Sequence, residues 1–159
     1  MNVGDAKKLV VVFESPVAEA LLRFALELGI HAMLVEPDPT KLLGPPKPHG
    51  DQLVHDLGAT NLDEYTDVVL TDHDRPEIGD ILREALAAKT RWIGIMGNPH
   101  HEGPHVAALR ALDVPDGEIT RVHRPIGLNI GSRTPAEIAV ATLAGLIADR
   151  NGRPGGFEF

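Results

Sequence analysis

Lys8–Glu36 reads KLVVVFESPVAEALLRFALELGIHAMLVE, and this stretch decides the fold. Lys8 to Phe13 is a short, valine-rich apolar run of the buried-strand type. Pro16 to Leu28 then carries the marks of a helix. Ser15 stands as N-cap, Pro16 takes the first helical position, and Gly29 follows the end. The charged residues Glu19, Arg23 and Glu27 recur every four and form one polar stripe, so the remaining faces are buried. His31 to Glu36 is the next strand. A buried strand, a buried helix and another strand in succession predict a parallel βαβ unit.

The same alternation runs outward from there. Pro37 to Gly50 holds five prolines and two glycines and reads as a loop. Gln52–Leu57 is a short strand and Asp67–Leu70 (DVVL) a firmer one. Ile78, Ile81, Leu82, Ala85 and Leu86 fall at helical spacing within Pro76–Ala88. Arg91–Met96 (RWIGIM) is a strand, Pro104–Leu112 a helix, Thr120–Arg124 a last strand and Pro135–Arg150 a last helix. From Ile138 to Ala148 that helix is small or apolar apart from Thr142 and Gly145. Such a helix needs cover on both sides, from the centre of the domain or from a second copy in a homodimer. The fold class is therefore α/β: a single Rossmann-like domain over residues 1–150, mostly parallel sheet with helices on both faces. Asn151–Phe159 (NGRPGGFEF) reads as a flexible tail, and there is no internal repeat.

Bulk composition excludes several function classes. The chain has 159 residues, 43% of them hydrophobic and 24% charged, as expected for one globular domain. Its net charge of −8 argues against nucleic-acid binding. No apolar run reaches membrane-spanning length, no cleavable signal stands at the start, and a cytoplasmic location is expected. The absence of cysteine excludes a disulfide framework, a thiolate metal site and a cysteine nucleophile.

In open α/β sheets ligands bind beyond the carboxyl ends of the strands. The loop after Arg124 is the richest of these: Pro125–Ala139 reads PIGLNIGSRTPAEIA. Thr134 and Glu137 form a capping box around Pro135. Gly127 and Gly131 flank Asn129, and Ser132 and Arg133 stand at the lip, so an anion site and a structural turn are both open readings. After the fourth strand, Asp72, His73 and Asp74 gather two carboxylates and an imidazole, a set suited to a metal, to proton transfer or to a plain helix cap. After the fifth, Gly94 and Gly97 permit close ligand approach beside Asn98. The histidines 100, 101 and 105 are broken up by Pro99, Gly103 and Pro104 and read as a solvated loop rather than a metal site. The first turn, Phe13–Ala18, lacks the glycines of a dinucleotide fingerprint, although Glu36 ends the second strand where a ribose-binding acid would stand.

Asp67–Asp74 (DVVLTDHD), Trp92–Gly97 (WIGIMG) and Arg121–Ala139 (RVHRPIGLNIGSRTPAEIA) together resemble the C-terminal Rossmann-like domain of the XdhC/CoxI family. The resemblance implies an accessory protein of molybdenum-hydroxylase maturation, a chaperone rather than an ordinary enzyme, commonly dimeric. It would bind molybdenum cofactor (molybdopterin) or a nucleotide, assist the sulfuration of the cofactor and deliver it to a molybdenum hydroxylase apoenzyme. It places the family's histidine-aspartate pair on His73 and Asp74, its glycines on Gly94, Gly97, Gly127 and Gly131, and its arginine on Arg133. The chain departs from the family in its glycine-free first turn, in Asn98, Pro99, His100 and His101 where basic residues are usual, and in lacking a cysteine-bearing N-terminal domain. A separate XdhC N-terminal-type protein is the expected partner. The alternatives are an NAD(P)-binding oxidoreductase-like module and a ligand-free dimeric interaction domain. The cofactor reading expects the late loop and the strand-four loop to converge on one hollow, with Arg133 and His73 facing into it.

Overall fold

The computed structural model describes residues 7–42 and 53–159. Most of the proline-rich loop and the start of the expected Gln52–Leu57 strand lie outside the described residues. Six parallel strands form one sheet in the order β3-β2-β1-β4-β5-β6. They are β1 (Lys8–Val12), β2 (His31–Val35), β3 (Leu53–Val54), β4 (Thr66–Leu70), β5 (Trp92–Ile95) and β6 (Val122–His123). The helices are α1 (Pro16–Glu27), α2 (Ile78–Ala87), α3 (Pro104–Ala111), α4 (Asp116–Ile119) and α5 (Pro135–Arg150). None is long and apolar enough to cross a membrane among the described residues.

Alternation along the strands divides the core into two layers. Val10, Val12, Val68, Leu70, Ile93 and Ile95 pack against α2 and α3 on one face. Leu9, Val11 and Val69 meet α1 and α5 on the other. At the amino ends of the strands, buried Asp67 accepts from Arg91 Nε at 2.6 Å and from Arg150 Nε at 3.1 Å, tying β4 and β5 to the end of α5.

Two strands are shorter than the sequence predicts. The third stops at Val54 instead of Leu57, because Leu57 opens a 3₁₀ turn, Leu57–Thr60, capped by Asp56. The last strand is two residues rather than Thr120–Arg124, because the short helix α4 precedes it. Thr120 completes that helical turn, its N–H donating to Asp116 O at 3.1 Å and its hydroxyl to Gly117 O at 2.9 Å. The small residues of α5 are covered from within the chain, one of the two covers expected. The late loop lies on the helix at Gly127, whose Cα is 3.5 Å from where a Cβ on Gly145 would stand, and Leu128 N–H donates to Ala141 O at 3.0 Å. Further along, Gly155 of the tail packs on Leu128 and Ala148 while Phe157 and Phe159 are fully exposed.

Candidate functional site

A hollow of about 670 Å³ opens at the carboxyl end of the sheet. Met96, Gly97, Pro99 and His100 line it from the β5 loop, Pro125–Ser132 from the late loop, and Ile138 and Ala141 from α5. Its size is that of a small-molecule site. The walls are mostly apolar, with Asn129, Ser132 and His100 supplying polar side chains and no Asp, Glu, Lys or Arg among them.

Glycines shape this hollow in different ways. Gly131 has φ +71 with open space beside its Cα, so it turns the loop and leaves room for a ligand. Gly127 has φ +90, and a Cβ there would stand 3.1 Å from Thr142 N of α5. The space beside Gly94 is filled by the Trp92 ring and Ile126, and that beside Gly97 by the Arg124 guanidinium. Gly94 therefore serves packing within the chain, and Gly97 lines the hollow with an arginine behind it.

The expected capping box is present. Glu137 Oε2 accepts from Arg133 N–H at 2.8 Å and from Thr134 N–H at 3.1 Å, and Glu137 N–H donates to Thr134 Oγ1 at 3.2 Å. Those backbone bonds hold the Glu137 carboxyl below its usual range. This carboxylate takes the place that an external anion would need at the start of α5.

The convergence expected of the two loops takes another form. Asp72, His73, Asp74 and Arg133 do not line the hollow; its second wall is the β5 loop. Strand order explains this, since β5 lies between β4 and β6. Asn98 is also off the wall, its Oδ1 accepting from His100 N–H at 2.9 Å to turn the loop. In the β4 loop, Asp72, His73 and Asp74 offer ligand atoms within 4.8 Å of one another, and His73 Nε2 is 3.6 Å from Asp74 Oδ2. All but half-buried Asp72 are exposed.

Arg75, which the sequence reading passes over, reaches the other way. Its guanidinium makes a two-pronged contact with fully buried Glu36, at 3.0 Å to Oε1 and 2.7 Å to Oε2, and lies 4.4 Å over the Phe13 ring. Glu36 also accepts from Glu14 N–H and Asp38 N–H. The first turn is filled by the chain's own groups: Phe13 has φ +76, Ser15 Oγ caps α1 through Ala18 N–H at 3.0 Å, and Glu14 Oε1 accepts from Ser15 N–H at 3.1 Å. No compositional signal marks Arg75; a lone arginine just before a helix is the only hint.

Strand order 3-2-1-4-5-6 with a hollow at the carboxyl ends defines a doubly wound, Rossmann-type α/β domain. The family model for the XdhC Rossmann domain matches residues 9–146, and the chain belongs to that family. Among curated relatives, the uncharacterized protein YqeB of Escherichia coli (strain K12) is 30% identical over 94 residues, 59% of this chain and 17% of that protein. A crystal structure of a xanthine dehydrogenase from Bacillus halodurans superposes with a TM-score of 0.75 over 92% of this chain and 45% of its own, at 23% identity, a likeness of fold. This chain thus spans less than half the length of either protein.

Proposed function

We propose that the domain serves molybdenum-hydroxylase maturation by holding molybdenum cofactor in the hollow between the β5 and late loops and passing it to an apoenzyme. The observation that carries this reading is that two of the three family-like segments, Trp92–Gly97 and Arg121–Ala139, close on that one hollow. A pterin is a flat, neutral, multiply hydrogen-bonding ring. Apolar walls with Asn129, Ser132 and backbone groups suit its body, and Arg124, directly behind Gly97, supplies positive charge near its anionic end. The bound group would bring all the metal chemistry, since the chain has no cysteine to carry a persulfide. Its own residues bind, orient and shield.

The NAD(P) reading has less support, because Ser15, Glu14 and Arg75 occupy the groups that a dinucleotide would use. A second copy of the chain, and a protein supplying an XdhC N-terminal-type domain, are the partners this role calls for.

Equilibrium dialysis with molybdopterin tests the proposal. Saturable retention of one ligand per chain is expected. Ile130→Asp, at a wall residue 55% exposed and so tolerant of change, should weaken it by tenfold or more, about 1.4 kcal/mol. No retention by the wild-type chain, alone or with a family partner, would remove the proposal.

A further inference from the structure

A groove of about 580 Å³ runs between α5 and the tail. Ala144, Ile147 and Ala148 of α5 line it together with Leu128 of the late loop, the one residue it shares with the ligand hollow. The tail is held beside the helix by its own contacts: Arg153 N–H donates to Ala148 O at 2.8 Å, and Gly155 packs on Leu128 and Ala148. Helical spacing puts Val140, Ala144, Ile147 and Ala148 on one face of α5. Val140 is exposed and the other three are half-buried, so this face is turned away from the core that Ala139, Leu143 and Leu146 enter.

The same surface carries groups that fit such a groove. Phe157 and Phe159 are the most exposed large hydrophobics among the described residues, and neither ring is covered by its own chain. A single exposed apolar side chain is ordinary, but two phenylalanines beside an apolar groove place a knob next to a hole. The two charged side chains on the groove, Arg153 and Glu158, are exposed and form no ion pair among the described residues. Their charges cancel, so two copies of a chain of net charge −8 meet here without adding like charge.

We infer that this face joins two copies of the chain in a reciprocal, two-fold contact. Phe157 and Phe159 of each copy seat in the groove beside α5 of the other, with Arg153 of one opposite Glu158 of the other. A knob and a hole on one surface suit an isologous dimer, because the rotation that fills one groove fills both. The area is sufficient. Four phenylalanines bury about 150–250 Å² each, and with the walls they cover this reaches the roughly 1,200–2,000 Å² of a stable interface. The contact gives the second copy a defined place, and it rests on this surface alone, not on the cofactor reading.

Sedimentation velocity of the full chain at about 1–100 µM, with no cofactor present, tests the interface. A dimer is expected. Phe157→Ser combined with Phe159→Ser should weaken association about a hundredfold or more. The circular dichroism spectrum should not change, since both rings stand in solvent. Ala144→Glu, on the groove wall, should have the same effect. Mixed in equal amounts, the two variants should associate again, more weakly than wild type, because one intact tail then meets one intact groove. A wild-type chain that stays monomeric over the whole range would overturn the inference and leave the groove to a protein of another kind. A dimer untouched by either variant would overturn it too, as would no regain of association on mixing. The phenylalanine variant decides even if Ala144→Glu does not fold.

Discussion

Glu36→Ala is expected to destabilise the domain by about 3 kcal/mol, because it leaves the buried Arg75 guanidinium with only the longer, 3.4 Å contact to the Glu77 carboxylate. Glu36 is fully buried and the Arg75 side chain is 9% exposed, so water cannot replace the lost partner without opening the core. Arg75→Ala should cost a similar amount. The double variant Glu36→Leu, Arg75→Met should recover much of it, since neither member of the buried pair is left alone and Glu77, 29% exposed, keeps contact with water. Urea denaturation of the three variants checks this, and a double variant no better than the singles would contradict it. The pair also sets a pH dependence. Burial alone would push the Glu36 carboxyl up, but bonds from Arg75 and from the Asp38 and Glu14 N–H groups outweigh it, and the net shift is below 4.5. A depressed folded value means stability that is fully present above pH 4.5 and lost as pH falls through the folded pKa. Glu36→Gln, lacking this group, should show a shallower loss on the acid side than wild type.

Gly127→Ala carries the second large effect, about 3 kcal/mol, and it strikes the ligand hollow directly. Its φ of +90 already disfavours any side chain. A Cβ would also stand 3.1 Å from Thr142 N and 3.2 Å from Ala141 C, backbone atoms of α5 that cannot rotate away. Relief requires the late loop to lift from the helix, breaking the Leu128 N–H to Ala141 O bond and moving one whole wall of the hollow. Gly131→Ala is the matched control. It has φ +71 but nothing within 4 Å of the added methyl, so about 1 kcal/mol of backbone strain is expected with the hollow kept. Thermal or chemical melts combined with molybdopterin binding separate the two. Equal losses at both glycines would show that loop contact with α5 does not shape the site.

The fold is legible in the sequence because its signals are local. The run of Lys8–Phe13, the caps at Ser15 and Thr134 and the spacing of Ile78–Leu86 each depend on neighbours within a turn or two, and the helices and strands stand where those patterns put them. The site is less legible because its contacts are long-range. Arg75 meets Glu36 from 39 residues away and stands in a segment that reads as plain loop. Strand order then sets the β5 loop, not the β4 loop, against Pro125–Ser132, which no periodicity records. The glycines show the same limit. Gly94 and Gly97 read as openings for a ligand, yet the spaces beside them hold Trp92, Ile126 and Arg124. Gly127 and Gly131 both take the positive φ expected of them, and Gly131 alone of the two has open space on its flank.

Amide chemical-shift mapping with molybdopterin tests the central claim most directly, since it reports where the ligand sits and not merely that it binds. The largest changes are expected at Gly97, Asn129, Gly131 and Ser132, with Ile138 and Ala141 of α5 following. Changes centred on Glu14, Ser15 and Glu36 at the first turn, with the late loop silent, would contradict it.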